Sequence, residues 1–186
     1  MNPENNKLSD KTLLNDTFAV IHSRKSVRNF TGENVTKEQI ETILKAGMAA
    51  PSAVNMQPWA FIAVTERETL DILADYLPFA KMLYKAGAAI IVCAIPEKAH
   101  EKLTEYSILD TAAATQNILL AVEALGLGAV WTAVYPKPDL VKFVRETLGI
   151  PHNVIPLNVI PIGHPTGEDL PKNKFKKENI KWEKWD

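Results

Sequence analysis

From Tyr106 to Leu125 the chain carries only two ionised side chains, Asp110 and Glu123. Small residues (Ala112, Ala113, Ala114, Thr115) fill the first half of this stretch, and Leu119, Leu120, Val122 and Leu125 the second. The spacing predicts the longest helix of the chain, apolar nearly all round. Such a helix has to lie inside the core or at a subunit interface. Gly126 reads as its C′ stop, where a residue without Cβ turns the backbone left-handed.

The remaining elements must surround that helix. Ala88 to Ile95 (A-A-I-I-V-C-A-I) is a continuous apolar strand, the pattern of a sheet covered on both faces. Trp59 to Thr65 and Gly128 to Val134 read as two further strands. Val154 to Ile162 is a fourth, and Pro156 and Pro161 argue against a central position for it. Thr36-Lys37-Glu38-Gln39 is a capping box ahead of Ile40, Ile43, Leu44 and Met48 at helical spacing. A second box, Thr65-x-x-Glu68, opens a helix with Leu70, Leu73 and Leu77 on one face and Pro78 at its end. Pro138 suits the first turn of another helix that stops at Gly149. Strands alternating with helices make an α/β or α+β domain, and 186 residues at 46% apolar composition suffice for one sizeable core.

Residues 1–17 form a polar lead-in that begins a helix, residues 18–163 the domain, and residues 164–186 a tail without a core-like run. Pro96 to Glu105 is charged and reads as irregular or a short helix. Because the tail holds Ile180, Trp182 and Trp185, it calls for something to pack on, and a second subunit is the economical candidate.

A formal charge of −1 gives no electrostatic case for nucleic acid or an anionic membrane. The single cysteine, Cys93, sits in an apolar strand, so neither a disulfide framework nor a CxxC site exists. The four histidines are scattered, which disfavours metal chemistry. No apolar run approaches the ~18 residues of a membrane span, and the N-terminus is unlike a signal peptide. A reduced, cytoplasmic compartment fits best.

Four segments hold chemistry. In Ser23-Arg24-Lys25-Ser26-Val27-Arg28-Asn29-Phe30, residues 24, 26 and 28 share one side of an extended backbone. Arg24 and Arg28 then suit one dianion as forks, with the Ser26 hydroxyl between them, and phosphate is the fitting ligand. Taken alone, the segment is better explained as a solvated basic turn. Ala50 to Trp59 couples small residues to Ser52, Asn55 and Gln57, which donate and accept hydrogen bonds and match the edge of a heteroaromatic ring; an ordinary helix-to-strand loop has the same composition. Gly126 to Val134 lets backbone approach a flat ligand, or simply caps a helix. Lys172-x-Lys174 is a further basic pair, of a kind common on wet surfaces.

In this order the segments resemble the nitroreductase family of flavin enzymes. The matching pieces are S-R-K-S-V-R-N-F, A-P-S-A-V-N-M-Q-P-W, the helix D-T-A-A-A-T-Q-N-I-L-L-A running into A-L-G-L-G-A-V-W, I-P-I-G-H-P, and P-K-N-K-F followed by W-E-K-W. The resemblance runs from about Phe18 to Trp185. It implies an α+β, three-layer α-β-α sandwich, its central sheet flanked by helices, working as an intertwined homodimer with FMN in each of two interface clefts. By position, Arg24, Lys25, Ser26 and Arg28 would hold the phosphate and the ribityl-to-ring region, and Lys172 and Lys174 would complete the phosphate grip. Pro51, Ser52, Asn55 and Gln57 of the partner chain would line the isoalloxazine. Trp131, Thr132 and Ala133 would pass beside the ring near N5, and Gly163 would end the strand facing the site.

The activity so implied is ping-pong: hydride from NADH or NADPH onto flavin N5, then two electrons to an electrophilic small molecule such as a nitroaromatic or quinone. The flavin carries the chemistry, so no side chain is assigned as acid, base or nucleophile. Arg28 is the candidate for stabilising the reduced ring near N1. His164, Tyr106, Tyr84 and Phe79 fit a place in the pocket and a structural role equally. The segment from Ile95 to Tyr106 is short for a substrate cover, which implies an open pocket. Lys174 stands where the family often has arginine, giving a point charge for a fork. Two other readings stand beside this one: a flavin-binding protein that stores or consumes FMN without turnover, and a dimerisation or anion-binding module without FMN.

Overall fold

All seven residues of strand β2 (Ala88–Ala94) are buried, so both faces of the sheet at this strand are covered. The structure, a computed structural model, describes residues 10–185, with the first part of the lead-in, residues 1–9, lying outside them. β2 pairs antiparallel with β1 (Trp59–Val64) on one side and with β5 (Ile155–Gly163) on the other. Two short strands, β3 (Gly128–Ala129) and β4 (Thr132–Ala133), both pair antiparallel with the far edge of β5.

The period of two along β2 sorts its side chains into two cores. Ile90 and Val92 meet Ile40 and Ile43 of helix α2 (Lys37–Met48) and Ile118, Leu119 and Val122 of helix α4 (Thr104–Ala124). Ile91 and Cys93 meet Leu70 and Leu73 of helix α3 (Arg67–Tyr76) and Val144 of helix α5 (Pro138–Leu148). The result is the expected α+β sandwich of helices, sheet and helices. Each fully buried Leu or Ile here contributes about 1.5–3 kcal/mol of transfer free energy.

Helix ends follow local chemistry where a side chain can reach. The Thr36 hydroxyl accepts the Gln39 N–H at 3.2 Å, and the Gln39 side-chain Oε1 accepts the Thr36 N–H at 2.9 Å, a closed capping box. Beyond α4, Gly126 has φ +71°, its N–H reaches the Glu123 carbonyl, and the Leu127 N–H reaches that of Val122, a complete Schellman motif. Gly149 ends α5 with φ +63°.

The expected Thr65 box does not form. Helix α3 starts at Arg67 with Glu66 in the cap position and no side-chain cap bond. Its start is anchored instead by the Arg67 guanidinium, which donates to Asp71 at 2.9 Å, to the Ala86 carbonyl at 3.0 Å and to the Leu83 carbonyl. The charged stretch after β2 forms two short 3₁₀ turns, Pro96–Lys98 and His100–Lys102.

Two strand expectations are corrected. The stretch Gly128 to Val134 is not one strand, being broken at Val130 and Trp131. And β5 lies inside the sheet despite Pro156 and Pro161. The Ile162 carbonyl accepts the Gly87 N–H on the β2 side, so Pro161 faces the opposite edge. There its missing donor falls opposite the break between β3 and β4. Pro156 pairs with Cys93 next to the bulge of β5 itself, where Leu157 has no partner on β2 and the ladder is already irregular.

Helix α1 (Asp10–Ser23) spans the boundary expected at residue 17, and the Arg24 N–H bonds back to the Val20 carbonyl at 3.0 Å, so the basic segment leaves the helix end directly. Past β5 the chain is tied by an antiparallel bridge between Phe30 and Pro165, after which residues 170–185 are exposed throughout. No helix among the described residues is long and apolar enough to cross a membrane, and no group of three or more His, Cys, Asp or Glu among them is placed to hold a metal ion.

Candidate functional site

Val27 fixes the basic segment. Its side chain is buried and its N–H donates to the Ala129 carbonyl at 2.9 Å, so the segment runs beside β3 with its polar residues turned outward. Arg24 and Ser26 are half-buried and Arg28 is exposed.

The two arginines line different clefts. Arg24, with Ile21 and His22, lines a cleft of about 540 Å³ closed from the other side by Pro171, Lys172, Asn173, Lys174 and Phe175. Three cations from opposite ends of the chain thereby face one space. Arg28 lines a second cleft of about 500 Å³ with Trp131, Thr132 and Ala133, together with Phe79 and Met82. Arg24 thus shares its cleft with two lysines, and Arg28 shares the other with Lys81 and an aromatic wall. Lys25 is turned away from both clefts, its Nζ 3.4 Å from Glu123 Oε1 on α4.

The floor of the second cleft comes from the strand break. Thr132 is held to β5 by its register with Val159 and by its hydroxyl donating to the Val159 carbonyl. Trp131 and Ala133 on either side are exposed. The break that separates β3 from β4 is what turns these residues toward the cleft.

Gly163 has a packing role: a Cβ there would stand 3.0 Å from Phe30 Cδ1 and 3.3 Å from the Gly87 nitrogen. It is buried at the strand end, against Phe30 of the basic segment.

Pro51, Ser52, Asn55 and Gln57 line neither cleft. They form a self-braced loop in which the Ser52 hydroxyl accepts the Gln57 N–H at 2.9 Å and Asn55 Oδ1 accepts from Gln57 Nε2 at 3.1 Å. Val54, Asn55 and Gln57 all take left-handed φ values, between 51° and 57°. For a β-branched Val this is a strained state of the kind kept at binding loops. Asp110 braces the loop from below, its Oδ1 accepting the Ala53 N–H at 3.1 Å.

Two carboxylates thus hold the polar segments, and sequence reading found neither role. Asp110 drew notice only as a charge on an uncharged helix. Asp169 accepts the Arg28 N–H at 2.9 Å, the Asn29 N–H at 3.2 Å and Asn29 Nδ2 at 3.4 Å, all on Oδ2. Nothing local marks it, because its partners lie 141 and 140 positions away. His22 and Phe175, which line the Arg24 cleft, also went unassigned.

Of the other candidates, Phe79 lines the second cleft, and Cys93, Tyr84, His164 and Tyr106 line neither cleft. Burial pushes the Cys93 thiol up to about 12. Tyr84 donates to Asp75, which holds its hydroxyl above the usual tyrosine range. His164 uses its carbonyl to accept the Thr31 N–H, and Tyr106 packs against His100 with ring centroids 5.5 Å apart.

The family model of the nitroreductase family matches residues 21–81 and 76–164. The chain belongs to the nitroreductase family. Among its relatives, an Archaeoglobus fulgidus protein provisionally named NADH dehydrogenase/NAD(P)H nitroreductase is 41% identical, over 92% of this chain and 100% of that one. A crystal structure of a protein from Parabacteroides distasonis, under the same provisional name, superposes with a TM-score of 0.86 at 47% identity, covering 91% of this chain and 98% of that one. A nitroreductase from Desulfovibrio desulfuricans, also provisionally named and solved in complex with FMN, superposes with a TM-score of 0.77 at 27% identity, over 91% of this chain and 98% of that one.

Proposed function

We propose that this protein is an FMN-dependent NAD(P)H oxidoreductase that passes two electrons, in ping-pong fashion, to an electrophilic small molecule such as a nitroaromatic or a quinone. The observation that carries the reading is the convergence of Arg24, Lys172 and Lys174 on one cleft, from segments about 150 residues apart. Three cations with no carboxylate among the lining residues suit a phosphate monoester, which carries roughly 1.5–2 negative charges at neutral pH. FMN ends in that group.

The rest of the donor set fits the same cofactor. Arg24 supplies a fork and the two lysines supply point charges around the phosphate. Ser26, between the two arginines in sequence, would meet the ribityl chain. Lys25, paired with Glu123, would steady the segment. Arg28 would place its guanidinium by the pyrimidine side of the ring, with backbone of Trp131, Thr132 and Ala133 along the edge. FMN, when bound, supplies two-electron hydride chemistry, so the chain needs to bind, orient and shield. Phe79 and Trp131 offer flat apolar surface on which a nicotinamide or an aromatic acceptor stacks. Stacking donor and acceptor in turn on one face is what makes the exchange ping-pong.

A homodimer completes the site. The Pro51–Gln57 loop lines neither cleft of its own chain, so a second copy would bring Ser52 and Asn55 to the ring edge. Apolar surface for that contact is abundant: Leu109 on α4 is 65% exposed, Phe18 on α1 57%, Trp182 77% and Trp185 88%. A free buried thiol and the absence of a membrane-crossing helix among the described residues support a reduced, cytoplasmic setting.

Steady oxidation of NADH or NADPH by the FMN-loaded protein, accelerated by a nitroaromatic or a quinone, tests the activity. Flavin binding without such turnover would leave a carrier of FMN in its place.

A further inference from the structure

Asp169 is half-buried while residues 170–185 after it are all exposed. Its Oδ2 gathers the Arg28 and Asn29 N–H groups, at 2.9 and 3.2 Å. Upstream, the tail is already in register with the same segment: the Thr31 N–H donates to the His164 carbonyl, and the Thr166 N–H to the Asn29 carbonyl, at 2.9 and 3.0 Å. Asp169 is the last of these ties. Immediately beyond it come Leu170, Pro171 and then Lys172, Asn173 and Lys174 facing Arg24.

No further hydrogen bond from the tail to the basic segment is present beyond Asp169 among the described residues. A carboxylate near three cations gathered for an anion weakens that site by like-charge repulsion unless its charge is used elsewhere. Here it is spent on two backbone donors, in charge-assisted bonds roughly twice as strong as neutral ones. Its position therefore makes sense as a hinge pin: it fixes where the exposed lysine segment starts.

We propose that Asp169 is a positioning residue for the phosphate end of the cofactor cleft, acting through Lys172 and Lys174 by clamping the start of the tail to the Arg28–Asn29 backbone. This rests on the reading that the Arg24 cleft takes the FMN phosphate. The clamp lowers the ordering cost that the lysine segment meets when it closes on the phosphate, which is preorganisation rather than a new contact.

The test compares Kd values for FMN and for riboflavin, which lacks the phosphate, by flavin fluorescence on full-length protein. Five proteins are needed: the natural chain, Asp169→Ala, Asp169→Asn, Lys172→Ala/Lys174→Ala, and the triple variant. The clamp predicts that Asp169→Ala raises the FMN Kd about tenfold, the scale of one charge-assisted bond, and shifts the riboflavin Kd by less than about twofold. In the lysine-free background the same change alters the FMN Kd by less than about twofold, because the groups it positions are gone. Asp169→Asn, which keeps the shape and one acceptor, loses less than Asp169→Ala, and it replaces that variant in all comparisons should Asp169→Ala fail to fold.

An unchanged FMN Kd in Asp169→Ala, an equal loss for riboflavin, or a full tenfold loss in the lysine-free background overturns the proposal. A lysine-free variant that holds FMN as tightly as the natural chain is a different failure. It removes the phosphate from this cleft, and with it the ground for the clamp, before residue 169 is touched.

Discussion

A Cβ on Gly128 would stand 2.5 Å from Cγ1 of Val27, closer than two carbon atoms can approach. The basic segment is therefore seated in a notch cut by the absence of a side chain in β3, and Val27 is the peg. Gly128→Ala is expected to cost about 1–3 kcal/mol through overpacking, because the neighbour is the buried base of a β-branched residue. Chemical denaturation checks it as a lowered midpoint at constant slope, and FMN affinity falls in the same variant because Val27 positions Arg24, Ser26 and Arg28.

Arg24→Ala removes the one fork that the described residues bring to the cation cleft. FMN binding is expected to weaken by about 1.5–3 kcal/mol, the range of a hydrogen bond to a charged group. Isothermal titration with FMN measures it. Arg28→Ala, in the other cleft, is expected to act on the ease of flavin reduction rather than on phosphate affinity, so the two variants separate in a redox titration.

Thr36→Ala opens the capping box of α2. The expected loss is about 1 kcal/mol of stability, read as a lowered Tm with flavin content unchanged, since α2 contributes no residue to either cleft.

The thiol of Cys93 titrates near 12 in the folded chain because burial opposes the thiolate. A folded pKa above the unfolded one favours folding below the unfolded value of about 8.5 and loses that advantage as pH rises toward 12. Near pH 8 the native protein should resist alkylation by iodoacetamide, and the same reagent should label it fully in denaturant.

Much of this fold is legible in the sequence because its signals are local. The uncharged run ending at Gly126 announces α4 and its Schellman stop, and Thr36 with Gln39 announces α2. The place of β5 was not legible. Proline disfavours a central strand on average, but here each missing donor falls where the ladder is irregular, beside the bulge of β5 at Leu157 or opposite the break at Val130 and Trp131. The site shows the same division. Arg24, Arg28 and the tail lysines stand out by charge and spacing. Their separation into two clefts, and the carboxylates of Asp169 and Asp110 that hold the segments, depend on contacts across most of the chain, which no local pattern encodes.

Anaerobic titration of the FMN-loaded protein with NADH and with NADPH, followed by the visible flavin band, addresses the central claim. The account predicts that the band bleaches with about one equivalent of at least one nucleotide per flavin and returns when a nitroaromatic or quinone is added. A protein that takes up no FMN, or one whose bound flavin stays oxidised under excess of both nucleotides, would contradict it.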